Sequence, residues 1–126
     1  MKCRGIRGAT TVDANTAKSI YASTKQLLRE MIKANGVAKD DVASIIFTVT
    51  DDLNAAFPAK AARDMGMSNT PLLCSREINV PGSLRSCLRI LILFNTDKKP
   101  DDIKHIYLKE AVVLRSDDSD CAAAEE

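Results

Sequence analysis

Apolar positions along the chain switch between two periods, and the switches mark its elements. Residues 3–12 (CRGIRGATTV) are short and β-prone, with two glycines where another backbone or a ligand can approach. Arg4 and Arg7 are three apart, so a regular strand points them to opposite faces. From 17 to 34 the spacing is helical. Ile20, Leu27, Met31 and Ala34 share one face, Tyr21, Thr24 and Leu28 lie beside it, and Lys18, Lys25, Arg29 and Lys33 fall largely outside. Asp13, Asn15 and Thr16 are N-cap candidates, and Asn35-Gly36 supplies the stop. Residues 42–50 (VASIIFTVT) are branched and nearly continuously apolar, the pattern of a central strand covered on both faces. Pro58 and Gly66 bracket a short helix on which Lys60 and Arg63 share a face.

A strand from 71 runs on toward Val80, Pro81-Gly82-Ser83 turns the chain, and a second deeply apolar run, read mostly as strand, fills 84–95. Residues 105–115 predict a last strand. Ile106, Leu108, Val112 and Leu114 alternate onto one face, with His105, Tyr107 and Arg115 on the other. Drawn straight, that strand separates Tyr107 from Arg115 by about 26 Å. One small ligand then meets both only if the strand bends or a neighbouring subunit supplies one of them. Residues 116–126 (SDDSDCAAAEE) are acidic without periodic apolar character and read as a disordered tail.

The order β-α-β-α-β-β-β predicts one α+β domain over residues 1–115. Its mixed β-sheet of about five strands is covered by one long helix. One helix shields one face of a sheet, whereas the apolar strands ask for both to be buried. Association through the open face is the economical solution, and the pattern alone does not set the number of subunits.

Charge and cysteine content narrow the function classes. With 18 basic and 17 acidic residues the net charge is +1, without the basic excess of a dedicated nucleic-acid or membrane-surface protein. No run approaches the roughly 20 apolar residues of a membrane span, and MKCRGIRGATTV has no signal-peptide core. The expected location is therefore the cytoplasm. Cys3, Cys74, Cys87 and Cys121 are widely spaced with no C-x-x-C. They are expected as reduced thiols, two or three of them buried. The single histidine, His105, stands in no Ser-His-Asp or Cys-His arrangement, so neither a metal site nor a nucleophilic triad is expected.

The remaining chemistry concentrates between Leu72 and Asp97. Cys74 and Glu77 are three apart, and Arg89 follows across the Pro81-Gly82 turn. On the residues alone, Arg89 is either a structural ion-pair partner, of Glu77 for example, or part of a hydrogen-bonding pocket.

Several segments together resemble the trimeric, non-helical chorismate mutases (the AroH class). They are Arg4-Gly-Ile-Arg-Gly-Ala-Thr-Thr-Val12, Thr50-x-Asp52-Leu53, Ala56-Phe-Pro-Ala-Lys60 with Arg63, Cys74-x-x-Glu77, residues 82–89 ending in Arg89, His105-Ile-Tyr-Leu108, and Val113-Leu-Arg115. Each is weak alone; in this order they are specific and span nearly the whole chain to Arg115.

The resemblance implies a ferredoxin-like or chorismate-mutase-like subunit assembled as a trimeric pseudo-barrel, with sites between neighbouring subunits. It implies conversion of chorismate to prephenate without metal or cofactor, at the branch toward phenylalanine and tyrosine. Arg7, Arg89 and Tyr107 would hold the enolpyruvyl ether and carboxylate, and Cys74 and Glu77 the ring hydroxyl. Phe57, Leu73 and Leu114 would pack on apolar parts, with Ala59 in the same substrate-binding set. Lys60, Arg63 and Arg115 would lie at the cleft mouth. The Rid-type imine deaminases share a trimeric scaffold with interfacial sites. They are not expected to carry the Phe57-Pro-Ala-Lys60 or Cys74-x-x-Glu77 motifs.

Overall fold

A computed structural model describes residues 1–115, and the proposed acidic tail lies outside them. Five strands form one mixed sheet: β1 (Lys2–Thr11), β2 (Val42–Val49), β3 (Leu72–Arg76), β4 (Cys87–Thr96) and β5 (Ile106–Tyr107), in the order β3-β2-β4-β1-β5. Central β4 runs antiparallel to β1 and β2, while β3 and β5 add to the edges in parallel with β2 and β1. Two helices join the strands, α1 (Ala17–Asn35) and the six-residue α2 (Ala59–Asp64).

The helical period of 17–34 becomes α1, one residue longer than its apolar stripe suggests. Of the three cap candidates, Thr16 is the one used: its hydroxyl accepts the Ser19 N–H at 3.1 Å. The chain leaves the helix through Gly36, at φ 59°. Leu27, Leu28 and Met31 of α1 pack on Ile6, Ile45, Phe47, Ile90, Ile92 and Phe94 of β1, β2 and β4, which form the main core. Strand alternation therefore commits these residues to the α1 side. It leaves Gly5, Arg7, Ala9, Ser44, Ile46, Thr48, Arg89, Leu91 and Leu93 on the other face.

Burial of 42–50 on both sides does not hold within one chain. Ile45 and Phe47 are buried, while Ser44, Ile46 and Thr48 are half-buried. The open face is capped at one end only, where Ala111 and Leu114 pack with Ala9 and Cys87.

The predicted 105–115 strand is a correction. Pairing stops after Ile106 and Tyr107; Leu108 still donates to the Ala9 carbonyl at 2.9 Å, and then Lys109 turns at φ 52°. A 3₁₀ turn, Lys109–Val112, follows. The buried residues there are Ala111 and Leu114, three apart, while Val112 and Val113 are exposed. A period of three won over the period of two because the segment caps the sheet face instead of extending its edge. The straight-strand separation of Tyr107 and Arg115 lapses with it. β3 is shorter than predicted, ending at Arg76, and β4 starts at Cys87, within the 84–95 run whose first residues the pattern leaves open between strand and helical turn. The intervening turn is as expected: Pro81 and Gly82 occupy its centre, Gly82 at φ 81°, with Ser83 N–H on the Val80 carbonyl at 3.0 Å.

Helix and sheet are closest where α1 crosses β1. A Cβ added at Gly8 would overlap the Met31 sulfur, with Cε and Cγ at 3.0 and 3.1 Å, and Met31 is fully buried. Gly8→Ala is therefore expected to overpack the core and to destabilise the protein by about 1–3 kcal/mol. Urea unfolding at fixed protein concentration checks this; an unchanged midpoint would show that Met31 yields freely.

Candidate active site

Register assembles the polar groups of the open face. Ala9, Arg89 and Thr48 sit side by side across β1, β4 and β2, with Arg7, Leu91 and Ile46 in the next row on this face. Arg7 and Arg89 are thus diagonal neighbours, about 7–8 Å apart at the backbone. The small Ala9 leaves room beside the Arg89 guanidinium. Glu77 reaches the same place from beyond β3, its N–H held by the Val49 carbonyl at 2.9 Å, and Tyr107 arrives on β5. Together Arg7, Ala9, Ile46, Thr48, Glu77, Arg89, Leu91 and Tyr107 line a cavity of ≈ 290 Å³.

The electrostatics of this cavity centre on Arg89. Its Nε lies 3.7 Å from Glu77 Oε2, an ion pair longer than a hydrogen bond. That carboxylate instead takes a hydrogen bond from the Thr48 hydroxyl. Arg89 Nε is shielded from solvent yet has no hydrogen-bond acceptor among the described residues. A buried donor left this way costs about 1–3 kcal/mol, more when charged, so the arrangement is poised for an incoming acceptor. The ion-pair and pocket readings of Arg89 are thus both realised, because the pair forms part of the lining. Beside them, burial pushes the Cys87 thiol up and the neighbouring Arg89 charge only partly opposes it. Cys87 is a neutral thiol, not a nucleophile.

The other predicted residues lie elsewhere. Cys74 packs against the α1-side core and lines a second cleft, ≈ 480 Å³, with Tyr21, Leu53, Phe57 and Arg76. It is not brought to Glu77 within the chain, because alternation along β3 sends it to the face opposite the cavity. Phe57 stands 74% exposed at the rim of this second cleft, an unusual place for a bare aromatic. Lys60 pairs with Asp64 at 3.1 Å and sits over the Tyr21 ring at 5.4 Å, and Arg63 is exposed.

Ala59 is buried in the main core. Leu73 is exposed on the open face beside Ile46, Leu114 is buried under the Tyr107 end of the cavity, and Arg115 is exposed. Of the three described cysteines only Cys87 is buried; Cys3 is exposed and Cys74 half-buried, and Cys121 lies outside the described residues. No cluster of metal-ligating side chains occurs among the described residues, and no described helix is long and apolar enough to cross a membrane.

Sequence reasoning missed three supporting groups. Thr48 was visible only as a polar interruption in an apolar strand. His105 accepts the Arg7 backbone N–H on Nδ1 at 2.9 Å. Asp52 fixes the start of β4: its carboxylate accepts from the Ser86 N–H at 2.9 Å and from the Thr50 and Ser86 hydroxyls, and pairs with Arg85. Ser86 there adopts φ 52°, and Arg85 also reaches Asn79 across the 77–86 loop at 3.0 Å. Burial pushes the Asp52 carboxyl up, but the hydrogen bonds from Thr50 and Ser86 and the Arg85 charge outweigh it, so its pKa falls below the ordinary 3.8.

Comparison with known proteins bears on the whole described chain. A family model, "Chorismate mutase type I", matches residues 3–118. A "Chorismate mutase AroH" of Thermus thermophilus is 52% identical over 115 residues, covering 90% of this chain and 94% of that protein. Its counterpart in Bacillus subtilis (strain 168) is 44% identical over 118 residues, covering 93% of each. The solved structure of a chorismate mutase from Clostridium thermocellum superposes with a TM-score of 0.87 at 58% identity, covering 88% of this chain and 99% of that one.

A depressed Asp52 pKa stabilises the fold above the unfolded value of 3.8, and that contribution is lost as the pH falls through the lower folded value. Asp52→Asn is expected to lower the urea midpoint at neutral pH, with the deficit shrinking below pH 3.8. A deficit that stays constant on acidification would contradict this account.

Proposed function

The chain belongs to the chorismate mutase type I family, and from that premise we propose that its open-face cavity, completed by a second subunit, rearranges chorismate to prephenate. The observation that carries the site assignment is the shielded Arg89 Nε, ion-paired with Glu77 yet without a hydrogen-bond acceptor among the described residues, in a cavity that also presents Arg7 and Tyr107.

The reaction is an intramolecular [3,3] rearrangement in which no nucleophile attacks and no proton need move. The protein's task is to hold the enolpyruvyl side chain over the ring in a chair-like geometry, which removes orientational freedom before the chemical step. As the C–O bond breaks, negative charge grows on the ether oxygen. A guanidinium fixed there stabilises the transition state more than the ground state. Arg89 has that role in this reading, with Arg7 and Tyr107 on the side-chain carboxylate. Glu77, held by Thr48, accepts from the ring hydroxyl. Cys87, kept neutral by burial, adds no anion of its own beside Arg89.

Two walls on opposite faces of one sheet cannot close on one small molecule. Cys74, Phe57, Lys60 and Arg63 belong to one side of the chain, and Arg7, Glu77, Arg89 and Tyr107 to the other. In our reading the first set, from one subunit, meets the second set of its neighbour. The open apolar face and the exposed Leu73 and Phe57 support association, and a closed ring of three satisfies every copy equally. The assembly is then a homotrimeric pseudo-barrel with three clefts, each subunit one domain over residues 1–115, working in the cytoplasm. Ala59 contributes by setting the backbone below Lys60, and Leu114 by supporting Tyr107. Arg115 and Lys60 are cations of the cleft mouth, where solvent screening makes them matter to binding more than to turnover.

Lysine at position 89 keeps the charge and loses the planar fork. Arg89→Lys is expected to lower kcat more than about tenfold while the oligomer elutes unchanged in gel filtration. Loss of chorismate absorbance, with prephenate identified by acid conversion to phenylpyruvate, gives the rate. Wild-type turnover would sink the assignment. The two-wall arrangement has its own test. Arg89→Lys and Phe57→Asp chains, each impaired alone, should regain activity when co-expressed, because some mixed clefts carry neither lesion. Without regain, each chain would have to hold its own complete site.

A further inference from the structure

Edge strand β5 carries Tyr107 but is only two residues long, and two ladder positions, Gly8↔Ile106 and Ala9↔Tyr107, tie it to the sheet. So short an edge does not hold a side chain in place unaided. Beside the packing of Tyr107 on Ala111 and Leu114, the segment before it is held from the far side of the sheet. Asn35, the last residue of α1, is 1% exposed, and both ends of its amide are engaged. Nδ2 donates to the Met31 carbonyl and to the Lys104 carbonyl, both at 2.9 Å, and Oδ1 accepts the Lys104 N–H at 2.8 Å.

Both backbone groups of Lys104 thus end on one buried side chain, three residues before Tyr107. The next residue, His105, takes the Arg7 N–H on Nδ1 at 2.9 Å. One turn before Asn35, the fully buried Met31 packs closely on Gly8 and ties this end of α1 to β1.

We propose that Asn35 is a positioning residue for the reaction: its two-point grip on Lys104 fixes the segment that places Tyr107 and, through His105, the Arg7 backbone on the cavity side. This rests on the assignment of Tyr107 and Arg7 to substrate. An asparagine is required because the grip needs one donor and one acceptor on a short planar group. Leucine has neither, and aspartate keeps only the acceptor while burying a charge.

The experiment combines amide hydrogen exchange with a double-mutant cycle. In the wild type the Lys104 amide, on an exposed residue, should be protected; rapid exchange there would overturn the proposal without any variant having to fold. Asn35→Leu should speed exchange of the Lys104, Leu108 and Arg7 amides while those of β4 keep their protection. A uniform loss across the sheet would instead mark Asn35 as merely structural and overturn it.

On activity, Asn35→Leu should lower kcat/KM about tenfold or more. It should add little to Tyr107→Phe yet multiply with Glu77→Gln, which lies on the opposite edge. Equal multiplication with both would overturn the proposal. Wild-type turnover in Tyr107→Phe would instead remove the substrate role of Tyr107, and with it the catalytic part of the proposal; the exchange data then still decide whether Asn35 holds the segment.

Discussion

The antiparallel register of β4 between β1 and β2 is the constraint on which the rest depends. It places Arg89 between Ala9 and Thr48 and gives Arg7 its diagonal position. The side-chain period of a strand is two, so a slip of one residue would turn Arg89 into the core and Ile90 into the cavity. The main core forbids that slip, because Ile90, Ile92 and Phe94 must face Leu27, Leu28 and Met31. Packing that touches no substrate thereby decides where the guanidinium points.

The register is also held at its ends. Asp52 pins Ser86 at the start of β4, and the Pro81-Gly82 turn with the Arg85–Asn79 bond shapes the loop that returns Glu77 to the cavity. At the opposite edge, α1 supports β5 through Asn35. Charge on the open face is balanced locally by Glu77, whose carboxylate takes its hydrogen bond from Thr48 and pairs with Arg89 Nε only at 3.7 Å. An anion entering the cavity meets a donor already stripped of water, and little reorganisation is needed on contact.

The strongly periodic segments were legible in the sequence. The α1 stripe, the β2 run and the Pro81-Gly82 turn each depend on neighbours a few residues away, and each formed close to where its pattern ends. The 105–115 segment was not legible as it folds, since alternating apolar residues also satisfy a three-residue period and the sheet face it caps is remote in sequence. Arg89 and Glu77 were readable as partners. That Cys74 faces away from Glu77 follows from strand parity: the spacing of three that opposes Arg4 and Arg7 also opposes these two on the predicted 71–80 run, so the separation was readable in the sequence. Thr48, Asp52 and Asn35 escaped because a polar side chain that bonds across the fold announces itself only through partners 29 to 69 residues distant.

Ser86 carries a consequence for how this scaffold changes over generations. A serine at φ 52° pays a backbone penalty that glycine would not, and it is tolerated because Asp52 collects both its N–H and its hydroxyl. The hydroxyl bond to Asp52 is what serine adds over glycine there, and loss of Asp52 would remove it while the backbone cost stays. The worth of each position is thus set by its occupant at the other. A change at position 52 therefore alters what position 86 tolerates, right where the strand that carries Arg89 begins.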